Sequence, residues 1–292
     1  MQFHHPSSDR VVRVGYCLNL HAAETLADVQ RAIETFSVPL RERLAPGGSS
    51  FGVGMYLAAG AARELRADPD AARALRDFLR AHRMDPFTFN AFPYGDFQED
   101  GLKARVYQPS WMEQERVDYT VDVAWAAASL VEASRDQPRM VSISTHPGAY
   151  GADINDRSGL RRCAEGMGRA VGELARIEEE TGVRVILSLE SEPDASARNG
   201  RALAEYLVFA RLIATRVLQE EFGADVQGSA LLAARHLGTC LDCCHSAVEF
   251  EEAVDSLALA THGGPLDHPS KRHCEPPRTW RTSRDVFFAV GS

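Results

Sequence analysis

Long hydrophobic runs are missing from this chain of 292 residues. No window approaches the ~20 apolar residues that cross a bilayer, so no membrane span is expected. The opening MQFHHPSSDRVVRVG has no apolar stretch behind a basic start of the signal-peptide kind, which predicts a soluble cytoplasmic protein. Excess positive charge is missing too: 32 Lys and Arg stand against 41 Asp and Glu, a formal charge of −9. That balance argues against a nucleic-acid partner. Cysteine is too sparse for a disulfide scaffold, with three of the six crowded between positions 240 and 244. What remains is a hydrophobic content of 45%, enough to build a substantial core.

Strand-like and helix-like stretches alternate along that core-forming chain. VVRVGYCLNL (11–20), FGVGMYLA (51–58), PFTFNAF (86–92), MVSISTH (140–146), VRVILSLESEP (183–193) and LGTCLDCC (237–244) are β-rich. Between them lie amphipathic segments at 26–44, 61–83 (broken near Asp68-Pro69-Asp70), 115–132, 159–182 and 201–222, with a last one at 247–260. Near-continuous apolar strands separated by helices mean a parallel sheet covered on both faces. The fold class expected is α/β, a TIM-type (β/α) barrel with about six β/α units. An open doubly wound sheet is the alternative, weakened because no Gly-rich phosphate loop follows the first strand. The stretch PYGDFQEDGLKARVYQPSW is too long for a bare connection.

The rhythm fails after residue 260. THGGPLDHPSKRHCEPPRTWRTSRDVFFAVGS carries three histidines and four prolines, and only VFFAV reads as a strand. Two more β/α units need roughly 60 residues, about twice what is left. Residues 1–260 are therefore read as an incomplete barrel, strands one to six, and residues 261–292 as an irregular tail, out of frame or truncated. An unclosed sheet would expose the edges of strands one and six, so association into a homo-oligomer or low solubility is expected.

Chemistry concentrates at the ends of the fifth and sixth runs. In ILSLESEP, alternation puts Ser188, Glu190 and Glu192 on one face, at the end where parallel barrels do their chemistry. An inward carboxylate there needs a partner, either an arginine at the rim or a divalent cation. In the second reading Glu190 is a ligand, and Glu192 a second ligand, a base or a supporting group. On the sixth run Asp242 and His245 form a D-x-x-H step. Two carboxylates and an imidazole suit Mn, Mg, Co or Zn. Cys240 and Cys243 in an extended strand would leave opposite faces, so the thiols are read chiefly as packing, with a redox pair or a Cys-rich zinc site as lesser readings.

These motifs support a resemblance. The chain resembles the EboE-type metabolite-traffic proteins, a branch of the xylose-isomerase-like TIM barrels, through YCLNLHAAE, FGVGMYLAAGAA, FTFNAFPYGDF, KARVYQPSW, SISTHPGA, LSLESEP and HLGTCLDCCHSAVEFE. The resemblance implies a divalent-metal site with Glu190 and Asp242 as ligands and His245 beside the metal or substrate. It also implies ligands from a seventh and an eighth strand, and this sequence has no recognisable counterpart of either.

His21 and Asn19 at the end of the first run, Asn90, Tyr94 and Trp111 are candidate substrate-binding residues at the mouth. For each a plainer role is available: a hydrogen-bonded wall histidine, a turn-forming asparagine before Pro93, aromatic rings that cover core. Phe92, Tyr107, Lys103 and His146 belong to the same surroundings, and the tail histidines 262, 268 and 273 are assigned nothing. The function expected is divalent-metal-dependent isomerisation or epimerisation of a small hydroxy-carbonyl compound or secondary metabolite. Glu190, Asp242 and His245 would hold the metal, with Glu192 or His245 as acid/base. Metal-dependent hydrolysis of a phosphoester, of the endonuclease IV-like type, and non-catalytic carriage of a metabolite are the rival readings.

Overall fold

In the computed structural model the described residues are 2–4, 11–95, 103–131, 139–154, 156–262 and 286–289. Strands β1 (Gln2–His4) and β2 (Val11–Arg13) pair antiparallel. The other seven are β3 (Gly15–Cys17), β4 (Phe51–Tyr56), β5 (Met84–Asn90), β6 (Arg139–Thr145), β7 (Val183–Glu190), β8 (Leu237–Asp242) and β9 (Val286–Ala289). They hydrogen-bond in strict sequence order in one sheet, parallel at β3–β4, β4–β5, β7–β8 and β8–β9. An order that never reverses has no switch point, which removes the doubly wound alternative and leaves the winding of a (β/α) barrel.

Helices fill the intervals: α1 (Leu26–Ala32), α2 (Val38–Leu44), α3 (Ala59–Ala67), α4 (Pro69–Ala81), α5 (Gln114–Leu130), α6 (Arg157–Thr181), α7 (Gly200–Phe222), α8 (Val226–His236), α9 (Cys243–Val248) and α10 (Ala253–His262). Their ends follow local chemistry. Asp68 stops α3 and caps α4 by accepting from the N–H groups of Asp70 and Ala71. Gly182 and Gly223, at φ 73° and 69°, end α6 and α7 in the left-handed region.

Several boundaries differ from the sequence reading. The first run splits, Val11–Arg13 going to β2 and Gly15–Cys17 to β3, and Leu18–Leu20 turns as a 3-10 helix. A π-helical stretch, Ile33–Ser37, interrupts the helix expected over 26–44 just before Pro39, which has no N–H to donate back. Helix α8, capped by Asp225, has no counterpart in the expectation. The edge of strand six is not free, because VFFA forms β9 in register with it, Thr239 opposite Val286 and Asp242 opposite Ala289. The tail between 263 and 285, with its histidines 268 and 273, lies outside the described residues, as do the side chains of His262 and Lys103 and residues 96–102 of the long loop.

Two compact units divide the chain. One comprises Met1–Val106, Tyr119–Ile143 and Ile177–Val185; the other comprises Tyr107–Asp118, Ser144–Arg176 and Ile186–Ser292. The first packs Val53, Met55, Tyr56, Phe89 and the inner face of α5. The second packs Leu187 and Leu189 with Met167, Leu174, Leu207 and Ala214 of α6 and α7. Every side chain of the carboxylate cluster described next belongs to the second unit.

Candidate metal centre

Strand β7 ends at Glu190, two residues short of Glu192, because Pro193 can neither donate to a ladder nor leave its neighbour helical. Glu192 is instead fixed by a tight turn. Its N–H donates to Ala197 O at 3.3 Å and its carbonyl accepts from Ala195 at 3.0 Å, while Asp194 takes φ 66°. Ser196 ties this turn to the segment after β6, its N–H and hydroxyl both donating to Ala149 O. The Tyr107 hydroxyl donates to Pro193 O at 2.9 Å.

Strand β8 likewise ends at Asp242, not at Cys244, so the expected alternation of Cys243 and Cys244 does not occur. Both sit in the first turn of α9, exposed and free, while Cys240 stays buried in the strand. Asp242 is the cap of that helix: Oδ1 accepts from Cys244 N at 2.6 Å and from His245 N at 3.0 Å. The D-x-x-H spacing is therefore a strand-to-helix turn that brings the imidazole back over the strand end.

Four side chains meet there. His245 Nδ1 lies 2.9 Å from Ser191 O, 3.2 Å from Glu192 Oε2 and 3.5 Å from Glu190 Oε1. All three neighbours are acceptors, so Nδ1 carries the ring proton, and in the neutral tautomer Nε2 presents its lone pair. Nε2 lies 3.8 Å from Asp242 Oδ2, the oxygen that the helix cap leaves unused. Glu190 and Asp242 are nearly buried, each 6% exposed.

The electrostatics follow from that crowding. Burial, then the charge of Asp242, then that of Glu192, hold the Glu190 carboxyl well above its ordinary range. Burial also pushes Glu192 up to about 7, against the lowering influence of His245. Among the described residues no arginine or lysine pairs with any of the three carboxyls. One imidazole cannot balance three carboxylates, and a divalent cation is the partner such a group takes.

Ligand atoms of Glu190, Glu192 and His245 all lie within 4.8 Å of one another and could hold a metal ion. The set anticipated from sequence was Glu190, Asp242 and His245, with Glu192 as second ligand, base or supporting group; the geometry gathers Glu190, Glu192 and His245, with Asp242 committed through one oxygen to the α9 cap. Cys240 was missed. Opposite Glu190 in the sheet register, its thiol hydrogen-bonds the Glu190 carboxyl and lowers that group's affinity for a proton. The one-residue identity of face between parallel register partners is a signal the sequence holds only once the pairing is known.

The remaining candidates are placed by other contacts. Trp111 has no exposed surface, and its indole N–H donates to Thr145 Oγ1 and His146 O, so it is core and not substrate surface as expected. His146 is fully buried, and burial lowers its proton affinity far below the usual imidazole range. Tyr107, between the rings of His146 and Tyr150, is buried as well. Asn19, His21, Asn90 and Tyr94 belong to the first unit. There Asn19 lies in the Leu18–Leu20 turn, half-buried. His21 stacks on Phe36 and bonds the Tyr16 hydroxyl at 2.8 Å. Asn90 accepts from Phe92 N at 2.9 Å as a turn former, and Tyr94 sets its ring edge against Tyr119.

No protein-family model matches the chain, and no curated protein matches it either. Among solved structures, the crystal structure of the IOLI protein with a binding zinc atom is similar at 12% sequence identity and a TM-score of 0.46, covering 86% of this chain and 70% of that one.

Proposed function

We propose that the second unit holds a divalent cation through Glu190, His245 and the free oxygen of Asp242, with Glu192 beside them. We further propose that the protein isomerises or epimerises a small hydroxy-carbonyl compound at that site. The observation that carries this reading is the convergence of three carboxyls, two of them nearly buried, on a single imidazole with no guanidinium or ammonium beside them. A cation in that place would neutralise the cluster and act as Lewis acid toward adjacent substrate oxygens. Glu192, half-buried and 3.2 Å from the His245 ring, would serve as the acid/base group. The Nδ1–H of His245, donated to Ser191 O, fixes the ring's orientation and tautomer.

The EboE-type affiliation, a cytoplasmic location and a metabolite as ligand belong to the same proposal, supported by the motifs in the sequence. None of the helices among the described residues is long and apolar enough to cross a membrane. For the site, metal analysis with stoichiometry is decisive. One equivalent of Mn, Co or Zn, lost in Glu190→Gln and Asp242→Asn, supports the metal centre. Metabolite binding that a chelator leaves untouched supports a carrier instead.

A further inference from the structure

Glu192 stands beyond the ladder of β7, so the sheet does not place it. Other segments of the second unit do. Backbone bonds join the turn after Glu192 to the segment after β6: Gly151 N donates to Asp194 O at 2.6 Å, and Tyr150 bridges antiparallel to Ala195. That segment is held in turn by Trp111, whose N–H donates to Gly148 O at 2.9 Å and whose indole N–H donates to His146 O at 3.1 Å. At Gly148, φ 135°, a β-carbon would collide with the Ser196 hydroxyl, so the two stretches close on each other without room for a side chain.

Tyr107 heads the stretch that carries Trp111. Its buried ring packs against those of His146, centroids 5.6 Å apart, and Tyr150, 5.7 Å. Between Tyr107 and Trp111 the chain is fixed by Arg116 Nε, which donates to Pro109 O at 2.8 Å. The Tyr107 hydroxyl reaches from this anchored base to Pro193 O at 2.9 Å. Burial, then the charges of Glu192 and Asp194, hold the proton on that hydroxyl, so it stays a donor. Pro193 has no N–H, and its carbonyl is the backbone group by which it can be tied. Proline also restricts the residue before it, here Glu192, to extended backbone.

We propose that Tyr107 is a positioning residue for Glu192. By holding Pro193 it keeps the Glu192 carboxylate 3.2 Å from His245 Nδ1, beside the cation that Glu190, His245 and Asp242 would hold. The inference rests on the reading of Glu192 as the acid/base group of that site. A carboxylate carried on a turn moves when the turn moves, and a hydrogen bond from behind sets how well it is aimed. Tyr119 supplies the contrast: its buried hydroxyl donates to Leu57 O at 2.7 Å and Pro93 O at 2.9 Å, both in the first unit.

Nitrogen NMR of the full chain labelled at histidine, in chelator and at fixed pH, reads the His245 ring directly. Tyr107→Phe removes the hydroxyl and keeps the ring between His146 and Tyr150. Its His245 Nδ1 resonance should move in the direction taken in Glu192→Gln, by about half as far or more. Tyr119→Phe loses the same kind of bond and should leave that resonance in place. A Tyr107→Phe chain whose His245 signal matches the parent's overturns the proposal. So does one that fails to fold where Tyr119→Phe folds, because a hydroxyl that aims Glu192 is not needed for folding. Co(II) titration of the parent separates this claim from the one beneath it. Absence of binding removes the metal site, while a His245 shift in chelator still assigns Tyr107 the placing of Glu192.

Discussion

The carboxylate cluster at the ends of β7 and β8 and the cavity lined by Arg76, Arg80, Arg83 and Arg139 at the starts of β4, β5 and β6 both concentrate one sign of charge, and they do it differently. Two of the three acids are nearly buried, and all three lean on one imidazole. The arginines are more exposed, and Arg139 shares Asp85 with Arg13. Desolvation makes the difference: buried carboxylates must be protonated or bound to a cation, whereas an exposed guanidinium stays hydrated. The acid cluster should therefore be sensitive to pH and metal, and the arginines chiefly to salt.

The largest expected effect is at Glu190. Glu190→Gln keeps the shape, removes one negative charge and is expected to lower divalent-cation affinity at least ~100-fold. The same change should raise the melting temperature of the metal-free chain, since it relieves repulsion from Asp242 and Glu192. Melting in chelator beside metal titration checks both; a variant that binds metal as well as the parent removes Glu190 from the site.

The pH dependence has a defined sign. Glu190 and Glu192 both hold their protons more tightly folded than unfolded, Glu192 with a folded value of about 7 against a model-peptide value near 4.5. The Glu192 contribution to stability is whole below ~4.5 and is lost as pH rises through about 7, and that of Glu190 falls in the same direction. Metal-free protein should thus melt at progressively lower temperature from pH 5 to 8, and a divalent cation should stabilise it most at the upper end. A chelated sample whose melting temperature climbs across that window would contradict the buried cluster.

Asp242 separates its two duties in a smaller effect. Asp242→Asn keeps an acceptor for the N–H groups of Cys244 and His245, while Asp242→Ala leaves both without one. Alanine should cost ~1 kcal/mol more than asparagine in stability. Both variants should lose metal affinity to a similar degree. Chemical denaturation with parallel metal titration reads the two separately.

Much of this centre was legible because its residues fall in two short stretches, 190–192 and 242–245, where alternation and spacing carry meaning. The strand ends were not legible. Alternation was extended to Glu192 and Cys244, yet the turn around Pro193 and the α9 cap stopped both strands earlier, and Glu192 arrives at His245 by the turn. Trp111 reads as a rim aromatic in one dimension, but its burial depends on Gly166, where a β-carbon would meet the Trp111 carbonyl. The arginine cavity had no local signature at all. Arg76 and Arg80 resemble any solvated helix face, and only the parallel pairing of β4 with β5 brings Ser50 and Arg83 beside them.

The smallest effect is expected at Arg83, the left-handed residue after α4. Asn tolerates the left-handed region better than Arg, so Arg83→Asn should leave stability unchanged or raise it by up to about 1 kcal/mol. The left-handed φ there is the stop that follows α4, so relief of backbone strain is the effect being read. Denaturant melts of parent and variant measure it. A variant that loses stability would show that contacts of the Arg83 side chain outweigh the strain of its backbone.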